Sequence, residues 1–289
     1  MSFDFALESK LACGDPALHQ IFTANVMCCQ NILVKYKSVF PHYTDHTALH
    51  SLEVIAFCNE LVADNIEQLN CDEIFVLLMA AYLHDSGMGI SQEDYRLFSG
   101  QMPEVAAFIN RNPDVSTDEV IRVFHNEFSG KFIEKYAGIF DFPSPEHLFA
   151  VIQTSRGHRK TDLYDEQEYP REITLSNGNC ICLPYLATLI RLADELDIAV
   201  DRNIQFLYNI SDIRNPVSLI EFKKHEAIKR LEFMPTALRA YVDYSDPTLV
   251  PELDELFQKL NGTLAYCVDV IQTCTPFSVY QTKIEVEKL

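Results

Sequence analysis

DEIFVLLMAAYLHD, residues 72–85, decides the fold. Between its acidic start and its His84-Asp85 end the segment is apolar on nearly every face of a helix, so it must be buried all round, as the central helix of a helical core. Gly87 and Gly89 follow closely and stop it. Its neighbours are legible on both sides. Residues 17–39 and 46–68 carry apolar side chains at i, i+3, i+4 and i+7 spacing, the second with Ala48, Leu49, Leu52, Ile55, Ala56 and Leu61 on one stripe. Downstream, 117–137 opens with Ser116 and Glu119 in capping-box spacing, and 145–156 opens with Ser144-Pro145, a cap followed by proline at the first helical position. Residues 183–200, LPYLATLIRLADELDIAV, are again helical.

The remaining segments carry weaker patterns. The polar stretch 157–182, with NGN at 177–179 between apolar flanks, predicts a small hairpin. QFLYNI (205–210), VSLIEF (217–222) and RLEFM (230–234) predict short strands, and 248–273 another helix. FSVYQTKIEVEKL (277–289) alternates like an edge strand, so the chain is expected either to lead into a further module or to donate this strand. The expected fold is mainly α: a helical bundle over residues 1–200, with a small α+β extension over 201–289 packing on it.

The 289 residues are 48% hydrophobic and 22% charged, which suits a soluble chain with a sizeable core. No stretch approaches the roughly 18 to 20 uncharged apolar residues of a membrane helix, and MSFDFALESK lacks the layout of a signal peptide. A cytoplasmic protein is expected. Nine cysteines without a repeated Cys-x-x-Cys read as reduced, mostly packed thiols, with Cys28-Cys29 and Cys180/Cys182 the alternatives for metal or oxidation. The formal charge of −19 opposes nucleic-acid polymers and anionic membranes, and favours a small substrate. If that substrate is phosphorylated, bound metal ions or a few placed Arg and Lys residues must supply the local positive charge.

His50, His84, Asp85, His125, His158 and Asp194 fall one or two to a segment, about one helix hairpin apart, so their side chains can converge inside a bundle. Together they form a mixed N/O donor set for one or two divalent transition ions: Mn, Fe, Zn, Co or Ni, with Mg less natural among histidines. Adjacent residues in mid-helix point about 100° apart, but at a helix end His84 and Asp85 can turn to one target. A buried unpaired Asp85 also needs a cation. Asp194 poses the same problem, with Arg191 three residues earlier as a rival ion-pair partner. His46 competes with His50 as a ligand or as a donor to one. His19, His42, His147 and His225 lack this context and read as structural or surface residues.

TDHTALHS (44–51), YLHDSG (82–87) and RLADELD (191–197) resemble the signature blocks of the HD superfamily of metal-dependent phosphohydrolases. The resemblance covers about residues 40–200 and implies an HD-type bundle whose ligands are His50, His84, Asp85 and Asp194. HN-E-x-SG (125–130) and SRGH (155–158) resemble the extra blocks of two-metal subgroups, which implies a second ion at His125 and His158. The pattern is most similar to HD domains of bacterial defence and conflict systems, often found beside an ATPase module. Ser86 stands where Ile is common, and the Gly-Tyr-Pro signature of cyclic di-GMP phosphodiesterases does not follow Gly130.

The implied activity is metal-dependent hydrolysis of a phosphoester of a nucleotide or related small molecule, with Asp85 bridging the ions and His125 the first candidate proton donor. Arg156, Arg159, Lys160 and Arg191 are the candidate phosphate contacts, against the commoner reading of a solvated charge run. The rival functions are a non-catalytic metal- and nucleotide-binding sensor that regulates a partner ATPase or effector module, and a di-iron oxygenase of the same superfamily. A homo-oligomer pairing through the terminal strand is a further expectation.

Overall fold

The computed structural model describes residues 5–36, 48–198 and 216–289. Helices α1 (Ala6–Gly14), α2 (Pro16–Leu33) and α3 (Ala48–Val62) lead into α4 (Cys71–Leu83). Every residue of α4 from Asp72 to Leu83 is buried, which its uniformly apolar sequence demands. Asn70 and Glu73 close a reciprocal capping box at its start. The helix ends one residue before the pair: His84 caps it, Asp85 leaves helical geometry at φ −102°, ψ 8°, and Ser86–Gly89 form a 3-10 turn.

Two short helices that the sequence pattern did not announce, α5 (Gln92–Ser99) and α6 (Pro103–Arg111), come next. Then follow α7 (Thr117–Lys135) and α8 (Pro145–Arg156), started by Ser116 and Ser144 as expected. Only half of the expected capping box at Ser116 forms, because the Glu119 carboxylate turns to Arg122 instead. The hairpin of β1 (Ile173–Thr174) and β2 (Cys180–Ile181) turns through Gly178 at φ +86°, a conformation that glycine takes readily. It delivers the chain to α9 (Leu183–Leu196), and α4 packs against α1, α2, α3, α8 and α9. A smaller apolar cluster, including Met88, Phe98, Val105, Ile121 and Phe128, joins α5, α6 and α7 to the 3-10 turn.

The C-terminal part holds α10 (Pro216–Ala227), β3 (Ile228–Phe233), β4 (Leu238–Val242), α11 (Val250–Cys274) and β5 (Ile284–Lys288). VSLIEF is therefore helix, not strand. Its β-branched and aromatic residues are overridden by a helical continuation in which Glu221 and Lys224 pair across one turn at 2.7 Å. RLEF lies in β3, as expected, with Met234 directly after it, and QFLYNI lies outside the described residues. The sheet order is β3-β4-β5, with β3 and β4 antiparallel and the terminal strand parallel to β4 at the edge, Leu238 opposite Ile284. Leu253, Phe257, Leu264 and Cys267 of α11 belong to the same apolar core as α4 and α9. The fold is mainly α with a small α+β C-terminal part.

Asp72, at the start of α4, ties three segments together: it accepts from His147 Nε2 at 2.8 Å, Asn177 Nδ2 at 3.0 Å and Asn179 Nδ2 at 2.7 Å. Burial alone would raise this carboxyl, but those three hydrogen bonds outweigh it and bring the pKa down to about 2. A folded-state pKa below the unfolded value stabilises the protein above that unfolded value and stops doing so as pH falls through the folded one. Asp72→Ala should lower unfolding stability at neutral pH by about 2 to 4 kcal/mol. In urea titrations the gap to wild type should shrink as pH drops from about 4 toward 2, and a constant gap would exclude the ionised carboxylate as its source.

Candidate metal centre

Three helices far apart in sequence meet at one point. His50 lies on α3, His84 and Asp85 at the end of α4, and Asp194 in the last turn of α9. His50 Nε2 lies 3.1 Å from His84 Nε2, 3.4 Å from Asp85 Oδ2 and 3.3 Å from Asp194 Oδ1. His84 Nε2 lies 3.3 Å from Asp85 Oδ2 and 3.7 Å from Asp194 Oδ1. A second set stands behind it: His125 Nε2 is 2.8 Å from His158 Nε2, and these two lie 3.4 and 3.8 Å from Asp85 Oδ1. Donor atoms that share one ion, with bonds of about 2.0 to 2.2 Å, are separated by similar distances. Asp85 thus presents one oxygen to each set.

The hydrogen bonds at the backs of the rings decide what the fronts can do. His50 Nδ1 is 2.5 Å from Asp197 Oδ2, while His84, His125 and His158 place Nδ1 at 3.0, 2.7 and 2.5 Å from the carbonyl oxygens of Ala81, Arg122 and Ser155. Carbonyl and carboxylate oxygens only accept, so each Nδ1 carries the proton and each neutral ring turns a bare Nε2 inward. The short Nε2 to Nε2 contacts therefore set lone pair against lone pair in a buried place. Either extra protons or a cation must lie between them, and a divalent ion in each set answers both contacts and the carboxylates together.

Buried together, these groups displace one another's pKa values. Burial would lower His84, but the Asp85 and Asp194 carboxylates outweigh it and raise it to about 9. Burial, with His125 and His84 nearby, holds His158 well below the usual imidazole range. Burial would raise Asp194, yet hydrogen bonds from His50 and His84 hold it well below the usual carboxylate range.

The three carbonyls have a common origin. His84 caps α4, His158 follows the C-cap of α8, and His125 sits directly after a break in α7 at Phe124, where φ is −113° and ψ 15°. Helix ends and breaks loosen the regular amide ladder, and each imidazole takes the carbonyl three residues back, at Ser155 alongside the long backbone bond from His158 N at 3.5 Å.

The six residues expected to bind metal are thus together, and Asp85 lies between the two sets. His46 lies outside the described residues. Arg191 does not pair with Asp194: Nε donates to Gly157 O at 2.8 Å and Nη2 to Thr161 O at 2.9 Å. The charge of Arg156 is met by Glu127 at 2.9 Å and Glu168 at 3.4 Å. Arg159 and Lys160 follow His158 at the surface and form no ion pair among the described residues. All nine cysteines are free, and the donor groups contain none of them.

Asp197 escaped the sequence reading. Its signal was in RLADELD, where a second Asp follows Asp194 by nearly one turn and reaches the back of His50. The clamp around Gly87 was missed as well. Gly87 N donates to Ser129 Oγ at 2.8 Å, and that hydroxyl donates to His84 O at 2.5 Å.

No curated protein and no solved structure matches this chain. A family model does, across both the helical bundle and most of the C-terminal part, and it takes in all six converging residues. By that match over residues 40–272, the chain belongs to the HD-CE family and carries an HD-type domain.

Proposed function

We propose that the chain hydrolyses a phosphoester of a nucleotide or related small phosphorylated molecule at this centre. The supporting observation is the division of Asp85: one oxygen faces a four-donor set and the other a three-donor set. Ions bound there supply Lewis acidity toward a phosphoryl oxygen and a water of lowered pKa. The set of four histidines and two aspartates suits manganese, iron, cobalt, nickel or zinc better than magnesium. Because the second set is one donor poorer, it leaves more room for water and substrate oxygen.

Asp85 keeps the two sets in register, and Asp197 and the three carbonyls keep every Nε2 aimed inward. If only the four-donor set is filled, His125 faces the reacting group without a metal partner, and it can pass a proton to the leaving oxygen only as an imidazolium, with a second proton on its inward Nε2. Arg159 and Lys160, beside His158, lie where they can attract the phosphate of the substrate.

The test is a hydrolysis panel of nucleoside triphosphates, cyclic nucleotides, linear oligonucleotides and alarmones, each with Mn, Fe, Co, Ni, Zn and Mg. Turnover of at least one class, lost on chelation and restored by a transition ion, is the expected result. Metal bound with no turnover on any member would move the site to sensing, and full activity in metal-stripped protein would sink the proposal.

A further inference from the structure

A cleft of about 560 Å³ opens beside the metal centre at His158, lined on one side by Arg159, Lys160 and Arg191 and on the other by Lys259, Thr263 and Tyr266. It has the size of a small-molecule site. Arg191 is only 6% exposed, and its bonds run to neutral oxygens: Gly157 O, Thr161 O and Thr161 Oγ1, with the Tyr266 ring 5.2 Å from its guanidinium carbon. Among the described residues no carboxylate forms an ion pair with it. A buried guanidinium ordinarily has an anionic partner, because desolvating its charge is costly. Arg159 and Lys160 are likewise unpaired among the described residues, in a chain whose formal charge is −19.

The contrast with the other side of the same ridge locates the anion. A second cleft of about 530 Å³ shares Arg159 and Lys160, but its remaining cations are already neutralised, Arg122 by Glu119 at 2.5 Å and Arg156 by Glu127 at 2.9 Å. The first cleft also holds two carboxylates: Glu195 takes up Lys259 at 2.7 Å, and Asp162 accepts from Tyr164 N at 3.1 Å and Tyr266 Oη at 3.4 Å, so that among the described residues Arg159, Lys160 and Arg191 form no ion pair and the cations of the cleft outnumber its carboxylates.

We infer that this cleft is a subsite for a second phosphate group, so that the ligand is a molecule with a di- or triphosphate chain, one end at the metal centre and the other against Arg159, Lys160 and Arg191. The assignment of one end to the metal centre rests on the phosphohydrolase proposal; the anion subsite itself does not. The loop 157–161 that Arg191 staples to α9 is the loop that carries His158, the half-buried Arg159 and the exposed Lys160, so one side chain sets the spacing between the two phosphate positions.

The test is calorimetric titration of the metal-stripped 289-residue chain with inorganic tripolyphosphate and with orthophosphate, at about 0.15 M ionic strength, where exposed charges more than about 8 Å apart are largely screened. Tripolyphosphate should bind at least about tenfold more tightly, a difference of about 1.4 kcal/mol. Arg159→Ala/Lys160→Ala should abolish that preference. Arg191→Gln should weaken it if the variant folds, as judged by circular dichroism, and if it does not fold the double variant carries the test alone. Equal affinity for the two anions, or a preference that survives in the double variant, overturns the subsite even if phosphoesters are turned over. Preference lost in the double variant, with no turnover of any ester, overturns hydrolysis and leaves the subsite standing.

Discussion

Asp85→Ala is expected to abolish activity, by about a thousandfold or more, and to empty both halves of the centre at once. Its two oxygens serve different donor sets, Oδ2 toward His50 and His84, Oδ1 toward His125 and His158, so a single truncation removes a donor from each. His125→Ala touches only the second set and should release about one ion while leaving the other. Elemental analysis of protein purified without added metal reads both outcomes directly. Equal metal content in wild type and Asp85→Ala would remove Asp85 as the bridge, and unchanged stoichiometry in His125→Ala would remove His125 as a ligand. Helical content should survive in both variants, because α4 is anchored by its apolar length rather than by its last residue.

Gly87→Ala should be the most damaging single methyl group in the chain. A Cβ there would stand 2.2 Å from His125 O, 2.5 Å from Ser129 N and 2.9 Å from the Phe128 carbonyl carbon, all backbone atoms of α7 that cannot rotate away. The 3-10 turn and α7 would have to separate, breaking the Gly87 to Ser129 hydrogen bond and drawing His125 away from Asp85. A loss of about 4 kcal/mol or more is expected, with the second ion lost before the first. Ser129→Ala, which deletes the hydroxyl but adds no bulk, should cost only about 1 to 3 kcal/mol. Thermal melts of the two variants beside wild type separate crowding from hydrogen bonding. An unperturbed melting temperature in Gly87→Ala would mean that the turn and α7 are not held in contact.

The sequence was most readable where composition leaves little choice. A segment as apolar as 72–83 can only be a core helix, and Ser116 and Ser144 mark helix starts by chemistry that does not depend on the rest of the fold. The convergence of His50, His84, Asp85, His125, His158 and Asp194 was legible from spacing together with resemblance. VSLIEF was misread because β-propensity describes how side chains suit a half-buried sheet, and the charged turn that follows it decides for helix. Asp197 and Ser129 were not legible as parts of the site, since each acts on a histidine from behind, through one bond that only the packed arrangement reveals. Arg156 and Arg191 look alike in sequence as neighbours of the site, yet one is matched by Glu127 and Glu168 and the other, among the described residues, by neutral oxygens and the Tyr266 ring.

The main-chain carbonyls behind His84, His125 and His158 give the centre an unequal exposure to evolutionary drift. A carbonyl has no codon of its own. Whatever side chains come to occupy Ala81, Arg122 and Ser155, the oxygen that fixes each imidazole stays in place as long as the helix still ends or breaks there. Those three imidazoles are insulated from substitution among their neighbours, and of the four rings only His50 depends on a partner that one base change can erase, Asp197.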